Sequence, residues 1–503
     1  MVIPSLQYPQ IPLLLLGCMA VFIFIAARSF KISNVSMALL AALSFLLVFS
    51  YVIFEKQLFQ MANRSFKGFT NNLANLFSSA AFYSYEPGAV FISLITFGLA
   101  TLISIYCAEY LNLDRRQHAF YPLLILMVCG LTGMLFSANL MILYLFCELM
   151  SICAYALVAF RRRTDTAIEA GFKYLMMGSV ASIVILLGIT LLFMSYGSIH
   201  IADMRGSTSW SAQIGTLFFF AGFCLKCALV PMHTWLPDAH GRAPSSISAF
   251  LSGILVQGVF YVMLKITLSL GFDHVLLGTI LLCLSLLNIV VGNLMGLAQN
   301  HTKRLLGYST VAQMGYITLC IAVGLRNNSM LALQSGFFII IAHALAKSLA
   351  FLTVGVFHYY VGASEIKDLQ RASTLPIFPS LAFGISIISL SALPPFPGFT
   401  GKWIALSSFF LSSDKITTLS ALVFLAGSLI AFGYYFPLLL TLFSKPQKKL
   451  PDENEKKAQK KISFWMSLPI VILVISILFI SIAPQYLMDI SIEAAQFLMD
   501  MMR

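Results

Sequence analysis

The chain has 503 residues, of which 59% are hydrophobic and only 10% charged, and its mean hydropathy is +0.90. A water-soluble domain cannot carry that composition on its surface, and no polar stretch is long enough to build one, so lipid is the solvent. The net charge of +12 sits in short connections rather than in a patch shaped for nucleic acid, and no nucleic-acid partner is expected.

The first apolar run has neither a basic region before it nor a small-residue cleavage site after it, and reads as a retained helix rather than a removed signal. A helix needs about 20 apolar residues to cross the hydrocarbon core. Runs of that kind fall near 11–27, 35–54, 88–106, 120–136, 138–160, 172–195 and 211–230, then near 243–270, 275–298, 305–325, 330–361, 376–412, 417–443 and 463–485. The fold class expected is therefore an all-α integral membrane protein with about 14 transmembrane segments. Connections after odd-numbered segments hold 19 Lys and Arg, including Arg161, Arg162 and Arg163, against 6 after even-numbered ones. Basic connections stay on the cytoplasmic side, so the map predicts a multi-pass protein of the cell (plasma or inner) membrane with both termini outside. Topology accounts for the Lys-rich 445–461 stretch, with partner docking as the alternative. From Tyr486 onward, Asp489, Glu493 and Asp500 share one helical face, which predicts a short helix at the interface.

Prolines interrupt two segments: the seventh at Val230-Pro231, and the twelfth at Leu393-Pro394-Pro395-Phe396-Pro397-Gly398. They lie five segments apart, and an odd-numbered repeat returns the chain with opposite orientation. Interrupted helices at matching positions of inverted repeats are the layout of ion transporters. The division expected is three N-terminal helices over 1–119, one five-helix repeat over 120–270, a second inverted repeat over 271–443, and a basic loop, last helix and tail over 444–503.

Five lysines fall inside segments, Lys173, Lys226, Lys265, Lys347 and Lys402, and among the acids only Glu148 sits mid-segment. A charge near the bilayer centre costs about 2.5–3.5 kcal/mol on insertion scales, so pairing or wet cavities must compensate. If the fifth and seventh segments touch, Glu148 and Lys226 form an ion pair. Burial disfavours both charges while their attraction favours both, so small changes in hydration or spacing alter proton affinity; a fixed structural pair is the competing reading. Lys402 follows the second break, where Gly398 and Gly401 let backbone and water approach, and snorkelling competes there. His343 and Lys347 are four apart on one helical face, a spacing suited to a proton relay. Lys173 and Lys265 are expected as further relay groups, ranked below the others because they lie nearer segment ends, where snorkelling is a stronger competitor. His233, Asp238 and His240 lack fixed metal-ligand spacing and are expected to shape a water-filled loop. The nine cysteines sit mostly in apolar runs, and the Cys224–Cys227 pair has no second ligand pair. No metal and no cofactor is expected, and no redox site of the chain's own.

Five stretches together carry a family likeness: Phe146-Cys147-Glu148-Leu149-Met150; Lys226 through Pro231-Met232-His233-Thr234-Trp235-Leu236-Pro237-Asp238-Ala239-His240; Ala243-Pro244-Ser245 through Ser252-Gly253; His343 to Lys347; and Pro394 to Lys402. With them the chain resembles the antiporter-like membrane subunits shared by respiratory complex I, membrane-bound hydrogenases and multisubunit sodium/proton antiporters. The resemblance implies fourteen helices with two inverted half channels and a subunit working beside other membrane subunits on protons or Na+. Glu148 and Lys226 would be its coupling pair, His343 and Lys347 part of a central hydrophilic axis, and Lys402 the terminal exchange site. Many relatives carry a lysine where this chain has Gln257, and some carry glutamate in place of Lys402. Glutamine holds no charge, and Lys265 stands two turns further on. Two other functions fit the composition. A non-pumping scaffold is opposed by the retained Glu148, Lys226 and Lys402; a stand-alone solute transporter would be active without partners.

Overall fold

Five of the described helices start where the sequence supplies a side-chain acceptor for free backbone N–H groups. Asn139, Ser209, Asp273, Ser329 and Asp414 each accept from the first turn of the helix that follows. The computed structural model describes residues 10–29, 33–65, 86–112, 114, 116–161, 165–204, 209–445 and 461–502, and side chains within 55–65 are left aside. The Lys-rich run is outside the described residues except at its two ends, as are Arg162 and Arg163.

In chain order the helices are α1 (Gln10–Ser29), α2 (Asn34–Ser65), α3 (Pro87–Tyr110), α4 (Gln117–Phe136), α5 (Leu140–Val158) and α6 (Asp165–Tyr196). Next come α7 (Trp210–Lys226), α8 (Trp235–Arg242), α9 (Ser245–Ser269), α10 (His274–Leu297), α11 (Thr302–Asn327) and α12 (Met330–Val361). The chain closes with α13 (Ile377–Leu390), α14 (Pro397–Phe410), α15 (Lys415–Leu442), α16 (Phe464–Ile482) and α17 (Pro484–Met501). Among the described residues, 12 helices are long and apolar enough to cross a membrane. The seventh and twelfth sequence segments are not among them: the seventh holds α7 alone, 17 residues ending at Lys226, and the twelfth is two shorter pieces, α13 and α14.

Burial sorts the helices into layers. The apolar window of α9 is wholly enclosed, and α11 and α12 are nearly so, while α1, α15 and α16 keep most of theirs on the outside. Outward-facing Ile183, Met194, Leu429 and Ile475 present the apolar surface that lipid or a neighbouring subunit covers. Helix α17 buries Leu487, Ser491, Ala494, Ala495, Leu498 and Met499, leaves Asp489 and Asp500 exposed, and is tied to α12 by Gln334 Nε2 donating to the Met488 carbonyl at 3.2 Å.

Two isolated bridges, Asn139 with His200 and His301 with Glu365, have the same construction. Leu140 N bonds to Ile199 O and Ile201 N to Ala138 O in the first; Thr302 N bonds to Ser364 O and Ile366 N to Asn300 O in the second. The first joins the start of α5 to the end of α6 on one face of the bundle. The second joins the start of α11 to the end of α12 on the face that carries the basic connections. The same pairing of a helix start with the end of the next helix therefore occurs twice.

Candidate functional site

The interruption of α7 is a helix terminus built from backbone bonds. Leu229 N donates to Cys224 O and Ala228 N to Leu225 O, with Ala228 in the left-handed region at φ 53°, which is a Schellman ending with alanine in the place glycine usually takes. Trp235 Nε1 donates to Leu225 O at 3.0 Å, and Val230 N donates to Asn288 Oδ1 at 2.6 Å. Residues around α13 repeat the scheme: Leu393 N to Ile388 O, Ala392 N to Ser389 O, and Ala392 at φ 58°. The prolines alone predict breaks at Pro231 and at Leu393 to Gly398. The helices stop sooner, at Lys226 and Leu390, because the left-handed alanine ends the ladder and the prolines only follow it.

That ending leaves Lys226 as the last residue of α7, where the helix dipole favours a cation. Its Nζ lies 3.3 Å from Glu148 Oε1 and 2.8 Å from Ser151 Oγ. Glu148 also accepts from Ser182 Oγ of α6, so three helices meet at one carboxylate. The Lys226 side chain is 5% exposed and that of Glu148 26%, so the acid is the member of the pair in touch with the surroundings.

The centre of the bundle holds a second polar group. Helix α9 contains one π-helical turn, Leu251–Leu255, and the Ser252 carbonyl receives two side chains: Gln257 Nε2 at 3.0 Å and His343 Nε2 at 3.1 Å. Such turns release a carbonyl from the regular ladder and recur at functional sites. Ser252 Oγ pairs with Thr310 Oγ1 at 2.7 Å, and Lys347 Nζ donates to Leu306 O at 2.7 Å and to Ser309 Oγ. Gln257, His343 and Lys347 thus share one buried polar knot of α9, α11 and α12.

Lys402, on α14 beyond the second break, is 5% exposed. Its Nζ donates to Ser428 Oγ at 3.0 Å and stands 3.8 Å from the centroid of the Tyr316 ring. Tyr316 is held by Asn293 Nδ2 at 3.1 Å, and Asn293 Oδ1 accepts from Tyr434 at 3.0 Å. Between Lys402 and His343 lies a cavity of about 10 Å³ lined by both of them, Gln313 and Ser389. His343 Nδ1 and Ser389 Oγ, both buried, have no protein partner among the described residues, and a space of that size with such walls suits one bridging water.

The remaining sequence candidates lie elsewhere. Lys173 is half exposed, paired with Glu169 at 2.8 Å and Asp238 at 3.4 Å, and Asp238 is also held by Arg304. It stands apart from the enclosed groups. His240, expected in a wet loop, is fully buried with its ring 5.0 Å from Phe351. Lys265 is 1% exposed and bonded to Glu86 at 3.0 Å, so it does not snorkel. Glu86 escapes sequence reasoning because it precedes an apolar run instead of interrupting one. Ser151, Ser182 and Tyr316 escape it too, since a serine or tyrosine inside a helix carries no signal until its neighbour is known.

Residues 137–431 match the family described as NADH:quinone oxidoreductase/Mrp antiporter, transmembrane. The chain belongs to that family. NADH-quinone oxidoreductase subunit N of Desulforudis audaxviator is 32% identical over 372 residues, 71% of each chain. An Na(+)/H(+) antiporter subunit of Alkalihalophilus pseudofirmus is 27% identical over 414 residues, 80% of this chain and 81% of the relative. A chain of the archaeal membrane-bound sulfane sulfur reductase superposes with a TM-score of 0.80 over 98% of this chain and 97% of its own, at 20% identity. A chain of Thermus thermophilus respiratory complex I does so with 0.71 over 95% and 98%, at 22% identity. At that identity these two establish the shared fold. The family match spans Glu148, Lys226, Gln257, Lys265, His343, Lys347 and Lys402, so the buried groups of this chain named in the sequence all lie within its family domain.

Proposed function

We propose that this chain is a proton-translocating (or Na+-translocating) antiporter-like subunit, working among other membrane subunits of a complex I-related redox-driven complex or a multisubunit cation/proton antiporter. The observation that carries the reading is the Lys226–Glu148 pair at the tip of a broken helix. A pair that is dry on one side and reachable on the other exchanges a proton when its spacing changes, whereas a pair serving only stability gains little from burial. Glu148 and Lys226 are the coupling pair, His343, Lys347 and Gln257 the central relay, and Lys402 the terminal exchange site. Lys173 supports the inner end of α6 through Asp238, and Lys265 belongs to a separate group. The two inverted units extend over 120–270 and 271–443, supported by the duplicated bridges and helix endings. The basic face is cytoplasmic and both termini are outside, as the distribution of Lys and Arg favours. Names of relatives drawn from quinone reductases and antiporters support the same reading.

The test is ion movement in membrane vesicles containing the assembled complex, with E148Q and K226A. Each is expected to abolish coupled proton or sodium movement while assembly persists. Normal gradients in assembled variants would refute the assignment.

A further inference from the structure

A second buried ion pair stands at the opposite end of the bundle from the basic face, and the proposed pathway makes no use of it. Glu86 stands just before the first residue of α3, its side chain making no capping bond, and Lys265 lies one turn from the end of α9. Their side chains are 11% and 1% exposed and meet at 3.0 Å. Lys265 Nζ is further held by the carbonyls of Leu135 at 3.0 Å and Ser137 at 3.4 Å, at the end of α4. Tyr261 Oη donates to the other Glu86 oxygen at 3.5 Å.

Spacing along α9 connects this pair to the central knot. Gln257, Tyr261 and Lys265 are each four residues apart on an unbroken α-helical stretch, so they stack on one side of it. Gln257 begins the row with its amide nitrogen on the Ser252 carbonyl that also receives His343. Its Oε1 is buried with no protein partner among the described residues, and so remains available as an acceptor on that side. At the far end Glu86 is the member with residual exposure. Resting on the function proposed above, we infer that Glu86, with Lys265 as counter-charge and Tyr261 as the link to Gln257, is an exchange site through which the central axis opens to the outer face.

The step is a proton transfer without other chemistry. A proton arriving past Gln257 and Tyr261 is taken by a Glu86 oxygen, which neutralises the carboxylate and loosens its bond to Lys265. The lysine keeps its own proton, held by two carbonyls. Loss of the accepted proton to outer water restores the carboxylate and re-forms the pair.

The rival explanation is a pair that merely fastens α3, α4 and α9 together. E86Q leaves Lys265 charged and buried, so it can harm assembly for that reason alone; E86Q/K265M removes both charges and is expected to assemble in either case. The assembled complex in vesicles, driven by its own substrate or by an imposed sodium gradient, is measured with a pH dye on each side. With E86Q/K265M the inference expects sustained translocation at least about tenfold slower than wild type, with a single burst of proton uptake at the cytoplasmic face retained. E148Q is expected to lose both. Wild-type turnover in assembled E86Q/K265M overturns the inference and leaves the function standing. Wild-type turnover in E148Q overturns the function instead.

Discussion

Ala228 and Ala392 occupy the same place in two oppositely oriented helices, each in the left-handed region and each three residues before a proline. An L-residue with a Cβ pays about 1–2 kcal/mol in that conformation. The alanines terminate α7 and α13 and thereby set where Lys226 and the cavity residue Ser389 fall.

Replacing either alanine with glycine relieves the strain. A228G and A392G are each expected to raise the thermal unfolding midpoint of the purified protein, on the order of 1 kcal/mol less the extra chain entropy of glycine. A228V, with a branched Cβ, is expected to lower it. A scan in which valine is as stable as glycine contradicts this account of the helix ending.

Lys402 depends on an aromatic face. A desolvated cation over a ring gains about 2 kcal/mol, and Tyr316 supplies the ring at 3.8 Å. Y316F keeps the face and loses the Asn293 bond, so ion movement in vesicles should fall only a few-fold. Y316L removes the face and should slow it by about tenfold or more. Equal effects of the two substitutions would assign the role to the hydroxyl.

His301 lies just outside α11 on the basic face. Burial, then the charges of Lys303, Arg242 and Arg304, push it down from its ordinary value to about 4. Between about pH 6.5 and 4 the unfolded chain binds a proton there and the folded one does not. Its effect on stability is thus favourable above that window and is lost progressively as pH falls through it. H301Q keeps the backbone bridge and removes the titration, so its unfolding midpoint should fall less than the wild type's across those pH values. Parallel curves would show that the ring charges freely in the folded protein.

The helices were legible because their cause is local. Apolar runs of the right length and the uneven Lys and Arg distribution mark where the chain crosses and turns, and the buried charges stand out by sheer cost. The Glu148–Lys226 pairing followed from assuming that two segments touch. Lys265 was less legible: its depth depends on the ends of α3 and α4, which enclose it with carbonyls and the Glu86 carboxylate. Lys173 shows the reverse, an in-segment lysine left half exposed beside Asp238.

Sequence alone therefore determined the solvent, the helical class, the five in-segment lysines and the two interruptions, since each follows from the free energy of placing one residue type in hydrocarbon. Tertiary structure alone decided which charge meets which, where the helices end relative to their prolines, and that His343 and Lys402 face one small cavity. The pairings and the shared cavity depend on contacts between residues far apart in the chain, and the early helix ends on the left-handed turns at Ala228 and Ala392, which an alanine does not announce. A pattern of hydrophobicity carries no information about the partner across the gap.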